Sequence, residues 1–187
     1  MTAGAGQLVV HAPTGLLVGV RQVLSPHCDP RPCEVDLVIL HGISLPPGEF
    51  GGPAIEQLFT GNLSPAGHPY FATIAALRVS AHVLVRRDGE VVQFVPFGAR
   101  AWHAGVSSFE GRGGCNDFSV GIELEGTDDG PYTDAQYERA AALVRALAAA
   151  YPAVTPARVV GHSDVAPGRK TDPGEAFDWR RMRAQLA

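Results

Sequence analysis

Residues 159–174 read V-V-G-H-S-D-V-A-P-G-R-K-T-D-P-G. The β-branched pair Val159-Val160 reads as the end of a strand that delivers His162. A loop stiffened by Pro167 then returns through Lys170 and Asp172 to Pro173-Gly174. His162 and Asp172 are ten positions apart, far enough for the chain to turn back on itself. An imidazole and a carboxylate brought together in this way are ligands for a divalent metal, zinc first. Two ligands do not make a site. The candidate for a third is His41 in V-D-L-V-I-L-H-G, read as the last residue of a buried strand. Three protein ligands on strand ends, with one position left for water, is the layout of a catalytic zinc.

Such a site needs a base for the water proton and a cation for the oxyanion. Glu123 is the expected base. It lies in F-S-V-G-I-E-L-E (118–125), an acid inside an apolar strand where burial would raise its pKa. Ser119, Gly121, Glu123 and Glu125 share one face of that strand, and Val120, Ile122 and Leu124 share the other. A carboxylate pointing to solvent from an amphipathic strand is the open alternative. Lys170, two residues before Asp172, is the expected electrostatic partner, with a solvated loop lysine as its alternative.

The run Val35 to Leu40 predicts a strand covered on both faces. Ser44 to Tyr70 is crowded with Pro and Gly, and its one helical signal is Pro53 to Phe59. A loop of that length predicts a lid or binding wall beside His41. Phe71 to Leu77 reads as a short helix bringing Arg78 to its end. Ser80–Arg87 and Glu90–Val95 flank Asp88-Gly89 as a hairpin. His82 reads equally as a core histidine and as an outer partner of the metal site. Trp102 and His103 stand in a small-residue loop that lets a sugar ring approach, although Trp102 serves as well for a core plug. Thr133 and Gln136 form a capping box opening a helix to about Ala150, and Asp178 caps a terminal helix. His27-Cys28-Asp29-Pro30 reads as a surface turn. An early strand is expected at Gln7–His11 or Gly15–Val20.

The chain has 187 residues, 45% hydrophobic and 18% charged, with a net charge of −4. That size and balance fit a single soluble domain over 1–187, with residues 1–25 as an N-terminal extension. The charge gives no reason to expect nucleic acid or an anionic membrane as partner. No apolar run approaches the roughly 18 residues of a membrane span. No basic region followed by an apolar stretch opens the chain, and three unpaired-looking cysteines suit a reducing compartment, so a cytoplasmic location is expected. A mature secreted form whose signal had been removed would read the same.

Seven stretches carry a family resemblance. They are HGISLPPGEFGGP (41–53), HPYFA (68–72), LRVSAH (77–82), RRDGE (86–90), AWHAGVSS (101–108), CNDFSVGIELEGTD (115–128) and GHSDVAPGRKTDPG (161–174). Together they resemble the AmpD family of cytoplasmic zinc amidases that act on anhydromuropeptides, in register from about Pro26 to Trp179. The resemblance implies an α/β (α+β) fold, a mixed central β-sheet flanked by helices, like that of phage T7 lysozyme and peptidoglycan recognition proteins. It implies His41, His162 and Asp172 as ligands of Zn2+, Glu123 and Lys170 as catalytic residues, and Arg78, Trp102 and His103 in the substrate cleft. The implied reaction cuts the amide between the lactyl group of 1,6-anhydro-N-acetylmuramic acid and L-alanine, in a monomeric enzyme of peptidoglycan recycling. Gly42 stands where the best-known family members carry Asn, and Gly114 where some carry Arg. Three rivals remain: a broader amidase on intact peptidoglycan, a non-catalytic peptidoglycan-binding module, and a cysteine hydrolase built on Cys115.

Overall fold

A computed structural model describes residues 7–186. Six strands form the central sheet: β1 (Arg21–Gln22), β2 (Leu37–Ile43), β3 (Val83–Val85), β4 (Val91–Gln93), β5 (Ser119–Glu125) and β6 (Val159–Gly161). Their spatial order is β6-β2-β5-β3-β4-β1. The pairs β6/β2, β2/β5, β5/β3 and β4/β1 are parallel, and β3/β4 is antiparallel. The sheet is therefore mixed, as the resemblance implies.

The reason lies in the connections. Arg86 to Glu90 closes a tight hairpin in which Gly89 takes φ +86°, a left-handed conformation that glycine adopts without steric cost. The parallel strands are joined instead by longer crossovers carrying α1 (Ala54–Phe59), α2 (Phe71–Ile74) and α3 (Asp134–Ala150). The short α4 (His162–Val165) follows β6, and α5 (Trp179–Leu186) ends the described chain.

The central strand β5 is buried along its whole length, and its two faces do different work. Val120, Ile122 and Leu124 join Val38 and Leu40 in a core closed by Tyr137, Ala140, Ala141, Val144 and Leu147 of α3. That stripe repeats at helical spacing, and truncating a fully buried member such as Leu147 to Ala costs about 2–5 kcal/mol. The helix opens on the expected capping box, with Thr133 and Gln136 bonding each other's backbone N–H. On the opposite face a second core gathers α1, Leu84, Val92 and Phe94. Ser119, Gly121, Glu123 and Glu125 look out on this side, with Glu123 and Glu125 toward the carboxyl end of the strand.

Several local expectations need correcting. His41 does not end its strand, because β5 runs equally far and Gly42 and Ile43 continue the ladder opposite Leu124 and Glu125. Cys28–Pro30 is no turn but an outlying strand paired with Ala99–Ala101, with Pro30 at its end, where the missing N–H costs little. The early strand shrinks to Val10–His11, paired with Leu16–Leu17. The Phe71 helix stops at Ile74. Within the N-terminal segment, Leu8 and Leu17 enter the α3 core, and β1 completes the sheet edge. Residues 1–6 lie outside the described residues.

Candidate metal centre

His41 rises from β2, His162 opens α4 directly after β6, and Asp172 closes the loop that follows. The β2/β6 pairing brings these three together from remote points of the chain. His41 Nδ1 lies 3.0 Å from His162 Nδ1 and 3.2 Å from Asp172 Oδ2, and the last two atoms are 3.0 Å apart. In a tetrahedral site with metal–ligand bonds near 2.0–2.1 Å, ligand atoms stand about 3.3 Å apart.

The protons argue the same way. His162 Nε2 is 3.1 Å from the carbonyl of Ala104, which only accepts, so Nε2 carries the hydrogen. In the neutral ring Nδ1 then faces Asp172 as a bare lone pair. His41 Nε2 is 2.9 Å from His103 Nδ1, and His103 Nε2 is 3.3 Å from Ser119 Oγ. With His41 donating, the relay runs His41 to His103 to Ser119 and leaves His41 Nδ1 bare as well. Burial lowers the His41 pKa to about 4, so this ring is neutral at pH 7. Three acceptors converging with no proton between them call for a cation, and two imidazoles with one carboxylate suit zinc.

Glu123 is paired in register with His41 on the adjacent strand. Its Oε2 is buried without a hydrogen-bond partner. Burial, then the negative charge of Asp172, drives its pKa well above the usual carboxylate value, and the positive charge of Lys170 opposes the rise. Lys170 itself is exposed within the chelate loop.

Of the expected cleft residues, Arg78 is exposed after α2 and Trp102 is half-buried, stacked on His27 at 6.0 Å. His103, expected in the cleft, has both its nitrogens engaged by His41 and Ser119. Its ring lies against Gly121, where a β-carbon would come within 2.5 Å of His103 Cγ. A glycine in the middle of a buried strand was the available signal for that approach. His82 packs one ring further back, 5.6 Å from His103, and its Nδ1 accepts the N–H of Gly121.

The loop after His41 is pinned rather than free. Glu125 Oε1 accepts the N–H of Gly51 at 2.7 Å, and Arg86 Nη1 donates to the same oxygen at 3.2 Å. Asp172 is braced too, because Tyr132 donates its hydroxyl to the carbonyl of Pro173 at 2.8 Å. Cys115 is buried, and burial raises its thiol pKa, which is the opposite of an activated nucleophile.

Residues 31–175 match the Amidase_2 family, described as N-acetylmuramoyl-L-alanine amidase. The chain is 63% identical over 175 residues to the 1,6-anhydro-N-acetylmuramyl-L-alanine amidase AmpD of Escherichia coli strain K12, covering 92% of this chain and 95% of that protein. A crystal structure of a selenomethionine AmpD derivative superimposes with a TM-score of 0.91 at 60% identity, over 93% of this chain and 98% of that one. The E. coli amidase AmiD, solved with anhydro-N-acetylmuramic acid-L-Ala-D-gamma-Glu-L-Lys, gives a TM-score of 0.60 at 27% identity, over 86% of this chain and 58% of that one. The chain belongs to the Amidase_2 family of N-acetylmuramoyl-L-alanine amidases.

Proposed function

We infer that this chain is a zinc-dependent amidase that hydrolyses the bond between the lactyl carbonyl of 1,6-anhydro-N-acetylmuramic acid and the nitrogen of L-alanine. The observation that carries the reading is the convergence of His41 Nδ1, His162 Nδ1 and Asp172 Oδ2, three acceptors 3.0–3.2 Å apart. The choice of substrate is supported by the AmpD relatives, which are named for it.

Zinc held there would polarise the carbonyl and lower the pKa of water to about 7. Glu123 takes the proton from the attacking water at its carboxylate and returns it to the alanine nitrogen as the C–N bond breaks and the C–O bond forms. A raised pKa suits both halves of that task. Lys170 places a cation beside the developing oxyanion. Arg78 pairs with a carboxylate of the peptide stem, and Trp102 offers a flat face to the sugar. His103 serves by orienting His41 rather than by touching substrate. The enzyme works as a cytoplasmic monomer of one domain in peptidoglycan recycling. No helix among the described residues is long and apolar enough to cross a membrane.

The test is release of stem peptide from matched anhydro and reducing-end muropeptides, followed by mass spectrometry with and without chelator. Turnover of the anhydro substrate should vanish with chelator, return with zinc, and fall at least about a thousandfold in Asp172→Ala. Equal turnover of both substrates would move the reading to a broader amidase on intact peptidoglycan. Chelator-resistant turnover would end the metal mechanism.

A further inference from the structure

Both metal-facing histidines lean on one dipeptide. His41 reaches His103 Nδ1 and His162 reaches the carbonyl of Ala104, each through its Nε2. The two backbone N–H groups of the same dipeptide converge on one atom, Asn116 Oδ1, at 3.1 Å from His103 N and 2.8 Å from Ala104 N. Two donors facing one terminal atom require it to be the amide oxygen, whose two lone pairs match them.

Asn116 sits in the turn Cys115–Asp117 that leads into β5. That turn is fixed from behind by Arg31, whose guanidinium donates to the carbonyls of Asn116 at 3.2 Å and Asp117 at 3.0 Å. From the open side, Arg169 donates to the Ala104 carbonyl at 2.6 Å, the same oxygen that receives His162.

We propose that Asn116 is a positioning residue for the metal centre, setting through one side-chain oxygen the place of both acceptors that orient His41 and His162. It touches neither metal nor substrate. Its effect passes through the dipeptide to the ring tautomers and hence to which nitrogens face the ion. Loss of an outer partner of a ligating histidine costs about 10–100-fold in metal affinity. Asn116 governs two such partners at once, so its loss belongs at the upper part of that range. The inference rests on the reading that His41, His162 and Asp172 hold zinc.

The experiment compares the full chain with Asn116→Leu, which keeps the size and removes the acceptor, and Asn116→Asp, which restores an acceptor oxygen. Zinc dissociation constants are measured by competition with a chromophoric chelator, and the visible bands of the cobalt-loaded proteins report ligand geometry. Asn116→Leu should bind zinc about 10–100-fold more weakly with an altered cobalt spectrum, and Asn116→Asp should stay within about threefold of the unsubstituted chain. Apoprotein melting in chelator is recorded for each variant. If Asn116→Leu does not melt cooperatively, Asn116→Ser, whose hydroxyl is too short to reach both N–H groups, carries the test under the same criterion. Zinc affinity within threefold of the unsubstituted chain in the acceptor-free variant overturns the inference, provided Asp172→Ala abolishes binding. Failure of the unsubstituted chain to bind zinc overturns the metal reading itself, and the inference with it.

Discussion

Glu123 stands opposite His41 across the parallel pair β2/β5, and its Oε2 is buried with no hydrogen-bond partner. A carboxyl whose pKa is raised on folding contributes stability that is present below its unfolded value, near 4.5, and lost as pH rises through the folded value. At pH 7 this buried carboxyl therefore works against the fold. Glu123→Gln should stabilise the apoprotein by about 1–3 kcal/mol at pH 7 and by little at pH 4, while turnover falls on the order of 100- to 10,000-fold. Urea denaturation in chelator at the two pH values checks the first part. A variant no more stable than the parent at pH 7 contradicts it.

The buried imidazoles act in the opposite sense. Burial lowers the pKa of His41 to about 4 and that of His82 to about 3, so both stay neutral in the folded chain. The unfolded chain takes up protons at these rings near pH 6.5, so it binds more of them between about 6.5 and 4. Apoprotein stability should fall through that window, by at most about 1.4 kcal/mol per pH unit for each ring. The Glu123→Gln background removes the opposing carboxyl and makes the measurement clean. Stability that is flat from pH 7 to 4.5 in that background rules the assignment out.

Gly42 leaves the room that the Tyr132 hydroxyl occupies, and a β-carbon there would collide with it. The same hydroxyl holds the carbonyl of Pro173, next to Asp172. Gly42→Ala should cost about 1–3 kcal/mol and weaken zinc binding, and adding Tyr132→Phe should recover part of the stability. Because the two groups touch, the double-mutant cycle should show a coupling above about 0.5 kcal/mol. Strict additivity would mean that the contact is relieved elsewhere.

Cys115 is buried beneath Ser107, whose hydroxyl oxygen accepts its backbone N–H at 3.2 Å. Cys115→Ala should lower stability by about 1 kcal/mol through lost packing and leave turnover within about twofold. Loss of turnover in a protein of normal melting temperature would revive a thiol mechanism.

Much of this centre is legible in the linear chain. His162 and Asp172 lie ten positions apart, and a loop stiffened by Pro167 limits how they meet. The alternation in 118–125 separates Val120, Ile122 and Leu124 from Glu123, and the structure packs the first three against α3. What escapes is whatever depends on contact between distant loops. His103 meets His41 from 62 residues away, and no local pattern distinguishes a histidine that supports a ligand from one that faces a sugar. Arg31 looks like an ordinary charge in a proline-rich stretch. It is in fact half-buried, its pKa drawn down to about 10 by burial, and it knits carbonyls of Phe97, Ala99, Asn116 and Asp117 together. The Cys28–Pro30 strand was hidden for a related reason, since proline marks turns and outlying strands alike.

Both imidazoles turn Nδ1, not Nε2, toward their shared focus. Nδ1 is bonded to Cγ, so each nitrogen that would hold an ion stands on a short tether, two bonds from Cβ. The site therefore has its own ruler for imitation: asparagine carries its terminal atoms at the reach of Nδ1, whereas glutamine overshoots by one bond. At position 41 or 162, the shorter amide is the closer mimic of the native ligand.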